Sequence, residues 1–128
     1  MTNAPPPPRE YAVDARSTAT FGRVMCSART HHFIIDGPVA NGCPGEELTP
    51  PEAFLSGVAA CGVELVQVIA REQYVPVSDV AVRIHAVVDR NRPVRPDVTL
   101  FNTVRLRFTL SGVPADRAGS LIEQFKKR

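Results

Sequence analysis

A long apolar helix is the feature that most constrains how this chain can fold. Between Cys43 and Tyr74 the sequence predicts a turn-rich loop, a helix start and a run of apolar residues at helical spacing. The recurring positions are Phe54, Val58, Cys61, Leu65, Val68 and Ile69. Most of the remaining positions are also small or apolar, so the helix needs to be covered on most sides, by a sheet or by a partner chain.

Local signals mark both ends of this helix. Thr49 is a suitable N-cap, and Pro50 fits the first helical position, where no backbone N–H is needed. Glu52 follows Thr49 at the spacing of a capping box. Because Pro76 cannot continue a helix, we expect the helix to end near Tyr74.

Strands are predicted on both sides of the helix. Residues 11–28 and 31–36 are interpreted as two strands joined by a turn at Arg29–Thr30. Residues 80–88 and 103–110 place apolar side chains at every second position, which is typical of a sheet with one buried and one solvated face.

A shorter second helix is predicted at the end of the sequence, with one apolar face made of Ala118, Leu121, Ile122 and Phe125. We expect this helix to run to Arg128. No C-cap residue precedes Arg128. We therefore also expect that the chain was cut, or that the sequence does not represent all of it.

This order of elements predicts an α+β fold, with an antiparallel sheet around a long buried central helix. A chain of 128 residues suits one domain. We expect a Pro-rich flexible tail over residues 1–12 and a single domain over residues 13–128.

Composition argues against several classes of function. The net charge of +2 and the absence of Trp do not favour a nucleic-acid partner. No uninterrupted apolar run reaches the roughly 20 residues that span a bilayer, and residues 1–10 lack the apolar core of a signal peptide. Three cysteines, an odd number, favour free thiols in a reducing compartment. We therefore expect a cytoplasmic protein without a membrane or nucleic-acid partner.

Two polar clusters have alternative interpretations. The adjacent residues His31 and His32, with Cys26 and Cys43, match no zinc spacing, so we expect strand histidines, no metal and no bound cofactor. Residues 89–97 contain three arginines, which we interpret as a solvated hairpin loop, with an anion site as the alternative.

The start of the long helix resembles the signature of a known family. The segment Leu-Thr-Pro-Pro-Glu-Ala-Phe-Leu at 48–55, followed by Ala-Ala-Cys at 59–61, is similar to the Thr/Asn-Pro-x-Glu-x-Leu … Ala-x-Cys signature of OsmC/Ohr proteins. Residues 32–38 resemble the second strand of OsmC-like members. The order of elements agrees over residues 15–128.

The resemblance implies an intertwined homodimer that reduces organic hydroperoxides with an external thiol or dithiol reductant. It implies that Cys61 is the peroxidatic thiol and Glu52 the acidic residue of its network. The family's catalytic arginine follows the first strand, where Arg23 is the best match and Arg29 the alternative.

A second, resolving cysteine is implied in a Cys-Pro element after the last helix. The sequence stops at Arg128, about where this cysteine would begin, so the resemblance leaves turnover open. Cys43, in the loop before the long helix, is an alternative resolving thiol.

The chemistry can also be argued from the residues. Peroxide reduction needs a thiolate, and an arginine can stabilise one without losing its own proton. We expect an apolar pocket that favours alkyl hydroperoxides over hydrogen peroxide, formed by Phe54, Leu55, Val58 and Leu65. The main alternative is a non-catalytic binding or scaffold dimer in which Cys61 is a core residue. A nucleic-acid module using the loop at 90–95 is the least favoured hypothesis.

Overall fold

The structure, a computed structural model, describes residues 4–128. Its elements in chain order are β1 (Asp14–Ser17), β2 (Arg23–Ala28), β3 (His31–Asp36), α1 (Pro50–Glu72), β4 (Asp79–Val87), β5 (Thr103–Ser111) and α2 (Ala115–Phe125), with a short 3-10 helix, Val39–Asn41, between β3 and α1. Every strand pair in the described part is antiparallel, which confirms the predicted α+β class. The chain divides into two compact units, Met1–Ala53 and Phe54–Arg128.

The first unit contains a three-stranded sheet in the order β1-β2-β3. The prediction of one strand over residues 11–28 was wrong, because a turn separates β1 from β2. In this turn the Thr18 hydroxyl donates to the Arg23 carbonyl oxygen at 3.0 Å. Gly22 adopts a φ of 79°, a left-handed conformation that glycine takes without steric cost. The predicted turn at Arg29–Thr30 is confirmed between β2 and β3.

The Pro-rich segment ahead of β1 has no helix or strand over residues 4–12. The first three residues of the predicted tail lie outside the described residues. The assignment of residues 13–128 to a single domain stays a prediction.

The second unit packs α1 and α2 on the apolar face of the β4–β5 hairpin. β4 alternates between exposed and half-buried residues along its whole length, as predicted. The buried core consists of Val66, Ile69, Ala70, Val75 and Leu121. Removal of these apolar side chains from water is the main force that holds this unit together.

α1 is only partly covered within a single chain. Its buried residues form one stripe, Gly62, Val66, Ile69 and Ala70, at helical spacing. Glu64 interrupts the apolar run, but the helix is still long and apolar enough to cross a membrane by length and composition. A core helix of a soluble protein meets the same criterion, so one such helix is weak evidence for a membrane span.

α2 ends at Phe125, so the prediction that it runs to Arg128 was wrong. The backbone N–H groups of Lys126, Lys127 and Arg128 still donate to the carbonyl oxygens of Ile122, Gln124 and Phe125. These three charged residues have no apolar side chain to add to the core, which leaves the α-helix without packing support beyond Phe125.

Gly62 allows α1 to approach the hairpin closely, and its replacement tests this packing. A Cβ atom at Gly62 would lie 3.2 Å from Phe108 Cζ and 3.4 Å from Val82 Cγ2. We expect Gly62→Val to lower the free energy of unfolding by about 1–3 kcal/mol through overpacking, measured by urea denaturation.

Gly119→Ala is the matched control, because Gly119 also lies inside a helix but a Cβ atom there would meet nothing within 4 Å. This variant should gain about 0.5–1 kcal/mol from helix propensity. A Gly62→Val variant as stable as the wild type would contradict the close approach.

Candidate functional site

The start of α1 follows the predicted capping arrangement. Pro50 is the first helical residue, and the Ala53 N–H donates to the Thr49 carbonyl oxygen at 2.9 Å. Glu52 Oε1 accepts hydrogen bonds from the Thr49 N–H at 3.0 Å and from the Thr49 hydroxyl at 2.7 Å. These bonds from Thr49 lower the pKa of Glu52. Glu52 therefore carries a negative charge at the helix N-terminus, where the helix dipole favours it.

Arg23 is held by a carboxylate directly opposite it in the sheet. Arg23 begins β2 and Asp36 ends β3, and the two residues are register partners. The guanidinium donates from Nε to Asp36 Oδ1 and from Nη2 to Asp36 Oδ2, each at 2.8 Å. Nη2 also donates to Glu46 Oε1 at 2.9 Å. This bidentate geometry is the strongest form of arginine–carboxylate pairing and fixes the orientation of the guanidinium.

Asp36 also fixes the loop that leads into α1. Its Oδ2 accepts the backbone N–H groups of Glu46 and Glu47, each at 3.0 Å. Its own N–H donates to the Leu48 carbonyl oxygen at 2.9 Å. The Asp36 side chain is completely buried, and a buried carboxylate is tolerated only when it is paired and hydrogen-bonded.

These contacts shift the pKa values of both partners in opposite directions. The Arg23 hydrogen bonds, helped by the N–H groups of Glu47 and Glu46, hold the pKa of Asp36 well below its usual range, although burial opposes the shift. Asp36 and then Glu46 raise the pKa of Arg23 above its ordinary value. Both side chains are therefore charged at any physiological pH.

The two candidate arginines differ in their surroundings. Arg23 is half-buried, with 28% of its side chain exposed. Arg29 lies in the exposed β2–β3 turn with a φ of 55°. The hydrogen bonds to Asp36 and Glu46 fix the orientation of the Arg23 guanidinium.

Cys61 lies in the middle of α1, in the second unit, whereas Arg23 and Glu52 belong to the first. Within the chain Cys61 is exposed. Phe54, Val58 and Leu65 recur with it at helical spacing and share its side of the helix. These four residues form a second stripe along α1, beside the buried stripe.

The predicted pocket residues do not all lie on this side. Leu55 lies two helical turns before the buried residue Gly62, so it is on the same face of α1 as the buried stripe. Phe54 is 63% exposed and stacks on Phe101, with ring centroids 6.2 Å apart. Phe101 precedes β5, and sequence analysis missed it because no local pattern connects it to α1.

The other two cysteines lie in the first unit and are less exposed than Cys61. Cys26 is buried in β2. Cys43 is half-buried, and its thiol fills the space beside two glycines: a Cβ atom at Gly22 would lie 2.3 Å from Cys43 Sγ, and one at Gly37 would lie 2.5 Å from it.

The histidines predicted to be strand residues are in β3. His31 and His32 are both exposed, and His32 Nδ1 lies 2.8 Å from Ser27 Oγ. Over residues 4–128, no three His, Cys, Asp or Glu side chains come close enough together to hold a metal ion.

Sequence analysis also missed Asp36, which it interpreted only as the last residue of a strand. A useful signal was an acidic residue at a strand end opposite an arginine that begins the neighbouring strand. That signal depends on the register between strands, which residue spacing alone does not give.

Comparisons with known proteins give a consistent result. The sequence matches the model of one family, described as OsmC-like protein, over residues 43–128. No curated protein matches it by sequence.

Several solved structures have a similar fold at low sequence identity. An OsmC-like protein from Mycoplasma pneumoniae is 16% identical with a TM-score of 0.80, and the match covers 94% of this chain and 82% of that one. The organic hydroperoxide resistance protein OsmC from Legionella pneumophila is 18% identical with a TM-score of 0.70, covering 93% and 83%. An organic hydroperoxide resistance protein from Elizabethkingia anophelis, with thiocyanate bound, is 14% identical with a TM-score of 0.73, covering 94% and 84%.

Acid titration tests the role of Asp36. Because its folded pKa is depressed, it contributes stability that is present above the unfolded value of about 3.9 and is lost as the pH falls towards the folded value. The urea midpoint of the wild type should therefore fall between about pH 5 and pH 2. Asp36→Asn should be less stable at neutral pH and should lose less on acidification.

Glu123→Gln is the control for this experiment. The exposed partner Lys126 lowers the pKa of Glu123, but exposed pairs contribute little to stability. This variant should keep the acid profile of the wild type. If Asp36→Asn kept it as well, the Arg23–Asp36 pair would not be the source of the acid sensitivity.

Proposed function

Because the chain belongs to the OsmC-like family, we propose that it is a thiol-dependent peroxidase that reduces organic hydroperoxides through Cys61. The family match spans residues 43–128 and includes both Cys61 and Glu52. The fold is similar to that of two organic hydroperoxide resistance proteins, which supports a detoxification role under oxidative stress.

The exposed thiol on an apolar side of α1 is the observation that carries this proposal. A reactive cysteine must be accessible, whereas a structural cysteine is buried and inert. Cys61 is exposed while Cys26 is buried, which argues against Cys61 as a core residue of the single chain. Apolar neighbours such as Val58 and Leu65 suit an alkyl hydroperoxide better than hydrogen peroxide.

The proposed reaction takes two steps. The Cys61 thiolate attacks one peroxide oxygen, the O–O bond breaks, and the leaving alkoxide takes a proton to become an alcohol. The cysteine is oxidised to a sulfenic acid and the hydroperoxide is reduced. A second thiol then condenses with the sulfenic acid, which releases water and forms a disulfide, and an external thiol or dithiol reductant reopens it.

Arg23 is the cation that we assign to this thiolate. An arginine keeps its proton at all working pH values, and the hydrogen bonds to Asp36 and Glu46 come from its Nε and Nη2 groups. Glu52 is the acidic residue that we assign to the same network, in addition to its capping bonds with Thr49.

The resolving thiol is assigned outside the chain. Cys26 is buried, and the Cys43 thiol packs against Gly22 and Gly37. These surroundings favour a thiol from another molecule as the one that condenses with the Cys61 sulfenic acid. A small external thiol can reach Cys61 by the same route as the hydroperoxide. No cofactor enters this reaction, and we assign the protein to the cytoplasm, where such reductants are available.

We assign the active form to an intertwined homodimer with shared sites. α1 is continuous from Pro50 to Glu72, and Glu52 precedes Cys61 by nine residues. That separation corresponds to about 13 Å along the helix axis and to half a turn away from alignment. Glu52 therefore cannot reach Cys61 of its own chain. A two-fold partner would supply the acidic residue and the arginine, and would cover the apolar side of α1.

Removing the thiol tests the peroxidase assignment. With a dithiol reductant, the wild type should consume an alkyl hydroperoxide such as cumene hydroperoxide faster than it consumes hydrogen peroxide. Cys61→Ser should reduce consumption to the rate of a protein-free control, because no nucleophile remains. Peroxide loss followed over time gives both rates.

Cys43→Ser is the matched control and should keep the activity of the wild type if the resolving thiol is external. Loss of turnover in Cys43→Ser, with one peroxide still consumed per chain, would instead assign the resolving role to Cys43. A wild-type protein no faster than Cys61→Ser would favour the scaffold alternative and contradict the proposal.

Mixing two inactive variants tests whether the sites are shared. Cys61→Ser chains and Glu52→Ala chains, unfolded and refolded together, should form heterodimers with one intact site and about half the activity of a wild-type dimer. If the sites were formed within one chain, both would stay impaired. Light scattering gives the mass, and a monomer at micromolar concentration would contradict the dimer directly.

A further inference from the structure

The outward side of the β4–β5 hairpin carries a compact group of basic side chains. Arg83 is the register partner of Arg107, and His85 is the register partner of Arg105. All four residues are exposed and point away from the apolar side that packs on α1. We call these four residues the basic face.

This arrangement is unfavourable for the hairpin by itself. Like charges directly opposite each other destabilise an antiparallel strand pair. The ion pairs in the described part of the chain involve other arginines and a lysine, and none involves a residue of the basic face. The flanking register pairs, Ala81–Thr109 and Val87–Thr103, are uncharged. The hairpin therefore concentrates positive charge without local compensation.

We propose that the basic face binds a small oligophosphate. Side chains directly opposite each other lie about 5 Å apart at Cβ, and successive residues on one side of a strand lie about 7 Å apart. Three guanidinium groups and an imidazole thus surround an area that two or three linked phosphates can fill. Guanidinium groups match phosphate oxygens with paired hydrogen bonds.

The size of the site favours a small ligand over a macromolecule. The basic face lines a surface depression of about 400 Å³, together with Leu106. This volume is in the range of small-molecule sites. A stable macromolecular interface needs about 800 Å² per partner, whereas this cluster spans only two register pairs. The site contains no residue of the proposed peroxidase chemistry, so it stands independently of that function.

Calorimetric titration with inorganic triphosphate at low salt tests the proposal. The double variant Arg83→Gln/Arg107→Gln should bind at least about tenfold more weakly than the wild type, because it loses charge-assisted hydrogen bonds. Arg105→Gln should also weaken binding. Arg117→Gln is the matched control, since it removes one exposed charge from α2, and it should bind within about twofold of the wild type.

Three results would overturn the proposal. One is the absence of wild-type binding at millimolar triphosphate. Another is an equal loss in Arg117→Gln, which would indicate an effect of net charge alone. The third is a single-stranded oligonucleotide that binds more tightly than triphosphate and is lost in the double variant, which would assign the face to nucleic acid.

Thermal melting without ligand separates loss of binding from loss of folding. Since the substitutions relieve repulsion at exposed positions, the double variant should melt no lower than the wild type. A double variant that melts much lower would contradict the repulsion on which the proposal depends.

Discussion

The contact between Arg23 and the buried Asp36 carboxylate is the interaction on which the first unit depends. Asp36 accepts two hydrogen bonds from Arg23 and two from the backbone of the loop before α1. Removing Arg23 would leave the Asp36 charge in the interior without its ion-pair partner, which is far more costly than losing an exposed ion pair. The strand ends, the loop and the entry into α1 are therefore fixed together, and the arginine is oriented as a consequence.

Two apolar sides of α1 differ in how they are covered within a single chain. One stripe, which contains Gly62, Val66 and Ile69, is buried against the core of the second unit. The adjacent apolar side carries Cys61 and stays exposed in a single chain. Under the proposed function, this thiol needs apolar surroundings that an alkyl hydroperoxide can still reach. Coverage by a second chain, rather than by this one, would satisfy both requirements.

The β4–β5 hairpin also has two sides with different physical roles. Its inner side accepts α1 at short range because Gly62 has no side chain to keep Phe108 away. Its outer side contributes nothing to the core and carries Arg83 and Arg107 opposite each other. Tight packing inside fixes the register, and the register places the like charges side by side outside.

The sequence by itself determined the features that depend on neighbours along the chain. These are the capped start of α1 at Thr49 and Pro50, the alternation in β4, the turn at Arg29–Thr30 and the family signature around Cys61. Each depends on the period of a helix or strand or on local turn chemistry, so residue spacing was sufficient. The resemblance to the family signature identified Cys61 and Glu52 as candidates without giving their partners.

Only the tertiary structure decided which distant residues meet. Arg23 and Asp36 are 13 residues apart, and their contact depends on the register of β2 and β3. Residues 11–28 form two strands because the chain reverses between Ser17 and Arg23, where Gly22 adopts a left-handed conformation. Sequence patterns show which side of an element is apolar, but strand register and close packing decide what that side contacts.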